Sequence, residues 1–184
     1  TEKELNEKVR RVLRLLYRTS MNRHKPFGSM CSEAHYATAR KVGEEGVVLL
    51  KNDGNLLPIT ASKVKKILVV GENAIKMMTV GGGSSSLKAQ HEILPLQGLK
   101  ANFGDKIQID FARGYVGSEL TNQDGLSAGV EVKETRKPEE LINEAVGKAK
   151  KADCVIFFGG LNKSSHQDTE GGDRLSYNLP YNQD

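Results

Sequence analysis

Four stretches of the chain carry the residue patterns that are typical of helices. In residues 2–17 and 138–151, apolar side chains recur at three- and four-residue spacing, which gives each helix one apolar face. A favoured capping serine precedes residues 33–45, and a helix-ending glycine follows residues 94–103. The sequence therefore predicts four helices, the first of which begins almost at residue 1.

Four short apolar runs outside these helices predict β-strands. They cover residues 47–50, 66–71, 107–111 and 154–158. Residues 66–71 are apolar on both faces, as expected of a parallel strand that is covered by helices. The alternation of strands and helices predicts an α/β fold: a three-layer α/β/α sandwich with a mostly parallel sheet and an additional N-terminal helix. Because sheets commonly hold ~4–6 strands, this sheet is expected to be incomplete, with an exposed edge strand.

The composition is that of a soluble globular protein, with 38% hydrophobic and 27% charged residues among 184. The net charge is +4, but lysine and arginine are spread along the helices and aromatic residues are few, which argues against nucleic-acid binding. No apolar run approaches the ~20 residues of a membrane span. The two cysteines give neither a disulfide framework nor a metal-site spacing.

A glycine- and serine-rich segment, Gly81–Ser86, is the first candidate for binding chemistry. Such loops can hold phosphate groups with their backbone N–H groups. No GxGxxG or GxxxxGK[ST] pattern follows the first strands, so a simple connecting loop is the favoured interpretation. A nucleotide- or phosphate-binding α/β module that uses this loop remains the alternative.

A second candidate lies in the loop that follows the last predicted strand. Glu170 stands there before two glycines, and Asp168 lies two positions earlier. Ligands in open α/β sheets sit beyond the carboxyl ends of the strands, so Glu170 can serve as a proton donor there. From the residues alone, a solvated charged turn explains the same pattern, because charged loop residues are usually exposed.

Four stretches in a fixed order carry a family resemblance. They are Gly46-Val47-Val48-Leu49-Leu50-Lys51-Asn52 with Leu57-Pro58-Ile59, then Lys66 to Ala74, then Leu94-Pro95-Leu96-Gln97-Gly98-Leu99, and finally Glu170-Gly171-Gly172-Asp173-Arg174 with Leu179-Pro180 and Gln183. Together they resemble the second domain of glycoside hydrolase family 3, whose close relatives are β-glucosidases. Residues 2–17 resemble the last helix of the barrel domain that precedes it in this family.

The resemblance implies a retaining mechanism with two carboxyl groups. The acid/base group would be Glu170, with Asp168 as its competitor. The nucleophile of the family is an aspartate in a Ser-Asp-Trp motif on a (β/α)8 barrel. This chain contains no Trp, so the nucleophile is expected outside it, and the isolated chain is expected to be inactive. Retaining enzymes need the two carboxyl groups about 5–5.5 Å apart, so the two domains would meet at the sugar.

The resemblance also sets the expected domains and partners. Residues 1–31 would be the terminal helix of a missing barrel and a linker, and residues 32–184 an α/β sandwich without its C-terminal part. The partners would be that barrel and a β-glucoside or oligosaccharide, with no cofactor, metal, nucleic acid or membrane span. Self-association and compartment stay open, although the family favours a periplasmic or secreted location. A non-catalytic interaction domain is the second alternative.

Overall fold

The computed structural model describes residues 1–24, 27–78, 89–90, 92–116, 134–162, 167, 173–180 and 183. The chain forms two compact units, Thr1–Leu50 and Lys51–Asp184. The first unit contains helix α1 (Glu2–Arg18) and helix α2 (Glu33–Gly46). Both were predicted from the sequence within one residue of these bounds.

The helices of the first unit begin at capping residues and keep their side chains exposed. Thr1 caps α1 together with Glu4, and Ser32 caps α2 together with His35. No residue of either helix is buried, and even Leu16 on the apolar face of α1 is 40% exposed. Within the described residues, no helix combines the length and the apolar character that crossing a membrane requires.

The second unit is a small parallel sheet with a helix against each face. Its elements in chain order are strand β1 (Lys66–Val70), helix α3 (Pro95–Phe103), strand β2 (Gln108–Ala112), helix α4 (Pro138–Ala149) and strand β3 (Cys154–Phe157). The spatial order is β2-β1-β3, and both pairings are parallel. This confirms the predicted α/β class and parallel sheet, with β1 at the centre.

The register of the strands divides the core between the two faces of the sheet. Ile67 pairs with Ile109 and Cys154, and all three belong to the apolar cluster on one face. Partly buried side chains of α3 pack against that cluster; they are Leu96, Leu99 and Phe103. On the other face, Leu68 and Val70 pack with Ala145 and Ala149 of α4. The helices therefore cover opposite faces and complete the three layers.

The predicted strand at residues 47–50 is wrong. Val47, Val48, Leu49 and Leu50 have no strand partner among the described residues, and each is more than 60% exposed. A short apolar run predicts only that a segment tends to be buried, whereas a strand also requires a neighbouring backbone to pair with. The described sheet therefore has three strands rather than about four.

The amino end of the sheet is held by Asp153, which lies just before β3. Its Oδ2 accepts hydrogen bonds from the backbone N–H groups of Lys65 at 2.8 Å and Lys66 at 2.9 Å. These two bonds lower the pKa of the Asp153 carboxyl group. Because Asp153 also donates its own N–H to the Lys66 carbonyl at 2.9 Å, the start of β3 is fixed against the start of β1.

Gly71 ends β1 in a conformation that excludes larger residues. Its φ is +114°, and a Cβ atom at this position would overlap the carbonyl oxygen of Phe158. The two chain segments after β1 and β3 approach each other closely here because residue 71 has no side chain. This contact brings the carboxyl ends of the two strands together.

We expect Gly71→Ala to lower the free energy of unfolding by about 2–4 kcal/mol, because it combines backbone strain with an overlap that the Phe158 carbonyl cannot avoid. Urea denaturation of the purified chain measures the change. Gly147→Ala is the matched control: Gly147 lies in α4 with open space around it, so the same substitution is expected to add about 0.5–1 kcal/mol. Equal effects at the two positions would contradict the close approach.

Candidate functional site

The carboxyl ends of the three strands carry a group of buried or partly buried polar side chains. We call it the strand-end cluster; its members are Glu72, Asn73, Lys76, Arg113, Tyr115 and Asn162. They follow β1, β2 and β3 directly or within a few residues. This edge is where open parallel sheets bind their ligands.

Glu72 is the centre of the strand-end cluster. Its Oε1 lies 3.0 Å from Lys76 Nζ, and its Oε2 lies 3.0 Å from the guanidinium group of Arg113. Asn162 donates from Nδ2 to Oε1 at 3.4 Å. The Glu72 side chain is only 4% exposed, so its charge is balanced by these neighbours rather than by water. A single carboxylate thus connects the ends of all three strands.

Asn73 holds the backbone that follows β3. Its Nδ2 lies 3.3 Å from the carbonyl oxygens of both Gly159 and Gly160, and 3.5 Å from that of Leu161. Its Oδ1 accepts from Asn162 Nδ2 at 3.2 Å. The three carbonyl groups therefore point toward one amide, which fixes the direction in which the chain leaves β3.

Tyr115 joins the same segments from the β2 side. Its hydroxyl oxygen accepts from the Glu72 N–H at 3.1 Å, and the hydroxyl group donates to the Phe158 carbonyl at 3.4 Å. The ring meets that of Phe157 edge-on, with centroids 6.2 Å apart. Burial raises the pKa of the Tyr115 hydroxyl group, so it stays protonated and keeps donating near neutral pH.

A second amide side chain reaches the segment after β3 from later in the chain. Gln183 Oε1 accepts from the Gly160 N–H at 2.6 Å, and Gln183 Nε2 donates to the Gly160 carbonyl at 3.2 Å. Gly160 itself has φ +101°, a region that favours glycine. Both backbone groups of Gly160 are thereby held by one side chain.

Ion pairs extend from the strand-end cluster toward α4. Arg113 lies 3.7 Å from Glu134, which also pairs with Arg136 at 2.8 Å. Arg136 continues to Glu144 of α4 at 2.6 Å. The hydrogen bonds from the Arg136 guanidinium group, helped by the Arg136 backbone N–H, lower the pKa of Glu134 from 4.5 to about 2. The chain of alternating charges links the end of β2 to the helix on that face.

The depressed pKa of Glu134 gives the chain a predictable acid sensitivity. The carboxyl group releases its proton more readily in the folded state than in the unfolded state, so its stabilising effect is complete above about pH 5 and is lost as the pH falls toward 2. We expect Glu134→Gln to be less stable than wild type at pH 7, with the difference narrowing between pH 5 and 2. Urea midpoints across this range measure it. If the urea midpoints of the two proteins changed with pH in the same way, the low pKa of Glu134 would be contradicted.

The candidate residues from the sequence analysis fall outside the described residues. This applies to Glu170 and Asp168, and to the whole of Gly81–Ser86. Their described neighbours are ordered by specific bonds: the Asn162 N–H donates to Gln167 Oε1 at 3.0 Å, and Arg174 donates to the Asn178 carbonyl at 3.3 Å. The strand-end cluster therefore leads directly into the segment that carries Glu170.

Sequence reasoning missed the strand-end cluster, although one signal for it was available. Glu72 and Arg113 are charged residues placed directly after predicted strands, which is the position where functional groups gather.

Among the described residues, no three His, Cys, Asp or Glu side chains come together as a metal site. Glu72 bonds with Lys76, Arg113 and Asn162, which lie in three different segments of the chain, so the cluster holds these segments together.

Comparison with known proteins identifies the family. A sequence profile of the glycosyl hydrolase family 3 C-terminal domain matches residues 47–184. The chain belongs to glycosyl hydrolase family 3. It is 49% identical over 185 residues to β-glucosidase BoGH3A of Bacteroides ovatus, and this match covers 97% of the chain and 24% of that protein. It is 31% identical to thermostable β-glucosidase B of Acetivibrio thermocellus, over 100% of the chain and 22% of that protein.

The family also fits the structure. The crystal structure of a family 3 β-glucosidase from Bifidobacterium adolescentis superposes with a TM-score of 0.63 at 29% identity, over 91% of this chain and 21% of that chain. The α/β sandwich class is therefore confirmed by comparison as well as by the strand order. The chain spans about a quarter of the length of the curated family 3 relatives named above.

Proposed function

We propose that this chain is the part of a retaining β-glucosidase that supplies the acid/base carboxyl group, and that this group is Glu170. The full-length enzyme would remove terminal β-linked sugars. The proposal is supported by family membership and by the two named relatives, both of which are β-glucosidases. It is also supported by the order of the motifs, since Glu170 follows β3 and the strand-end cluster.

The observation that carries the proposal is the set of buried polar contacts that holds the chain just after β3, in the residues that precede Glu170 in the sequence. A general acid must be held within hydrogen-bond reach of the leaving oxygen, so the backbone that carries it has to be fixed. Asn73 and Gln183 fix Gly160, and Glu72 and Asn162 bind each other beside it. A solvated charged turn would not need buried amides and ion pairs to fix the backbone that leads into it.

In the proposed reaction, the carboxyl group of Glu170 protonates the glycosidic oxygen while the barrel aspartate attacks the anomeric carbon. The bond to the leaving group breaks, and the sugar is held as a covalent glycosyl-enzyme. The Glu170 carboxylate then removes a proton from water, which attacks the anomeric carbon and releases the aspartate. Asp168 is the competing residue for the same role.

The barrel domain is the second part of the proposal. Residues 1–31 would be its terminal helix and a linker, and residues 32–184 would begin the sandwich domain. The exposed apolar face of α1 supports this arrangement, because a face of that size is normally covered in a folded protein. The isolated chain would lack the nucleophile and would not hydrolyse glycosides.

The test is to replace Glu170 in the full-length enzyme and to compare substrates whose leaving groups differ in basicity. Only a proton donor produces a loss that depends on the leaving group. The family match supports a hydrolase over both alternatives, a nucleotide-binding module at Gly81–Ser86 and a non-catalytic interaction domain. No described residue adds an observation in favour of either alternative.

A further inference from the structure

Strand β2 has backbone hydrogen-bonding groups that point away from β1. Within the described residues, β2 lies at one end of the order β2-β1-β3 and pairs with β1 on one side. The Gln108 N–H donates to the Lys65 carbonyl at 2.8 Å, and the Ala112 carbonyl accepts from the residue after β1 at 3.2 Å. Because backbone groups alternate in direction along a strand, those of Ile109 and Phe111 point outward, to the other side of β2.

The outer edge of β2 has two properties that favour pairing with another strand. The side chains of Ile109 and Phe111 are apolar and only partly buried, against the cluster on the α3 face. A groove of about 460 Å³ lies beside Ile109, between the end of α3 and the start of β2, so there is open space next to this half of the edge. An edge strand with these properties is a template for pairing with another chain.

The other half of the edge is capped by Lys148 of α4. Its Nζ donates to the Phe111 carbonyl at 2.8 Å and to Glu144 Oε1 at 2.6 Å. Glu144 is held in turn by Arg136 at 2.6 Å. The lysine therefore reaches from the helix on one face of the sheet to an outward carbonyl at its edge, and an ion pair within α4 keeps it there.

We propose that Lys148 prevents β2 from pairing with β2 of a second copy of the protein. A second copy is the partner because it presents the same strand, so two such edges can pair about a two-fold axis. The added strand would need the Phe111 carbonyl as an acceptor, and it would have to displace the ammonium group or remove it from water. Lysine at a sheet edge is a known device against such pairing. The inference does not depend on the proposed function.

Lys148→Met in the full-length enzyme tests the proposal, because methionine keeps much of the apolar stem and removes both the donor and the charge. Analytical ultracentrifugation over a range of protein concentrations measures the mass. We expect the mass of Lys148→Met to rise with concentration toward about twice that of wild type, which stays constant. Lys148→Gln, which is shorter and uncharged, is expected to associate in the same way. Wild-type mass for both variants at every concentration would overturn the proposal.

Two control variants separate the contact with Phe111 from the loss of a positive charge. Lys148→Arg keeps a charged donor near the same carbonyl and is expected to keep the wild-type mass. Lys151→Met is the matched control, because Lys151 is exposed two positions after the end of α4 and its replacement removes the same charge. If Lys151→Met associated as strongly as Lys148→Met, net charge would govern association and the proposal would fall.

Hydrogen-exchange mass spectrometry locates the contact in the associated form of Lys148→Met. The outward N–H groups of β2 would then be bonded to the partner strand and protected from exchange. We expect exchange in the peptide that contains Ile109 and Phe111 to slow as the protein concentration rises, with no change in peptides from α2. Association without slower exchange in β2 would place the contact elsewhere and would also overturn the proposal.

Discussion

Glu170→Ala in the full-length enzyme is expected to lower kcat/KM for alkyl β-glucosides by about 10²–10⁴-fold, while kcat/KM for 2,4-dinitrophenyl β-glucoside changes little. The reason is that kcat/KM reports the steps up to the covalent glycosyl-enzyme. An alkoxide leaves only when an acid protonates it, whereas dinitrophenolate is a weak base and leaves unaided. Initial rates on the two substrates measure the effect.

The second half of the reaction gives an independent signal for Glu170. If Glu170 is the acid/base group, its removal leaves no base to activate water, so we expect the glycosyl-enzyme to accumulate and kcat for the dinitrophenyl substrate to fall. Azide is already an anion and needs no base; it attacks the anomeric carbon and releases the barrel aspartate. We therefore expect azide to raise kcat of Glu170→Ala and to give the β-glucosyl azide, with retained configuration.

Asp168→Asn is the matched control for Glu170, since it removes a carboxylate from the same loop. Asp168→Asn is expected to lower kcat/KM for both substrates by similar, small factors. Azide is expected to leave its kcat unchanged. If the dependence on leaving group and the azide product follow Asp168 instead, then Asp168 is the acid and the assignment of Glu170 is wrong. Equal activity of all three proteins would favour a non-catalytic domain.

The second large effect is expected at Glu72, where substitution should lower the free energy of unfolding by about 3–5 kcal/mol. Glu72→Gln keeps the shape of the side chain but removes the charge that faces Lys76 and Arg113. Both cations are largely buried, with 6% and 13% of their side chains exposed. Their desolvation is then no longer offset by the carboxylate, which is why the expected loss far exceeds that of a surface ion pair. Urea denaturation of the purified chain measures it.

Asp53→Asn is the control for the Glu72 experiment. Asp53 lies 3.1 Å from Lys51 in the same compact unit, but about four fifths of each side chain is exposed. Exposed ion pairs contribute little, so we expect a change within about 0.5 kcal/mol. If Glu72→Gln also changed stability by less than about 1 kcal/mol, Glu72 would not be the centre of the strand-end cluster.

The sequence predicted the elements in which apolar residues recur over several helical turns or form a continuous apolar run along a strand. Residues 66–71 were expected as a parallel strand covered by helices on both faces, and β1 covers Lys66–Val70. Residues 138–151 were expected as a helix, and α4 covers Pro138–Ala149. The local pattern was enough in these cases because the apolar residues that form the pattern are also the ones that pack in the core. Those of β1 are buried on both faces of the sheet, and those of α4 pack against one face.

The errors and omissions have a common physical cause. The run Val47–Leu50 has the composition of a strand, but pairing depends on a partner that a local pattern does not specify. The strand-end cluster depends on the spatial order β2-β1-β3, which brings Arg113 and Asn162 to Glu72 over 41 and 90 positions of sequence. One sequence gives no direct information about such distant pairs, so Glu72 was not selected as a candidate site residue.

The central place of β1 has a consequence for biosynthesis. β1 is translated before both of its neighbours, yet in the part of the chain that the structure describes it pairs with strands that come later. Lys66 meets Asp153 only after 87 further positions have been added, which takes on the order of 4–17 s at ~5–20 residues per second. Both edges of β1 are unpaired until β2 has been made, and one edge stays unpaired until β3 arrives. For that interval an apolar strand edge is open to pairing with other nascent chains.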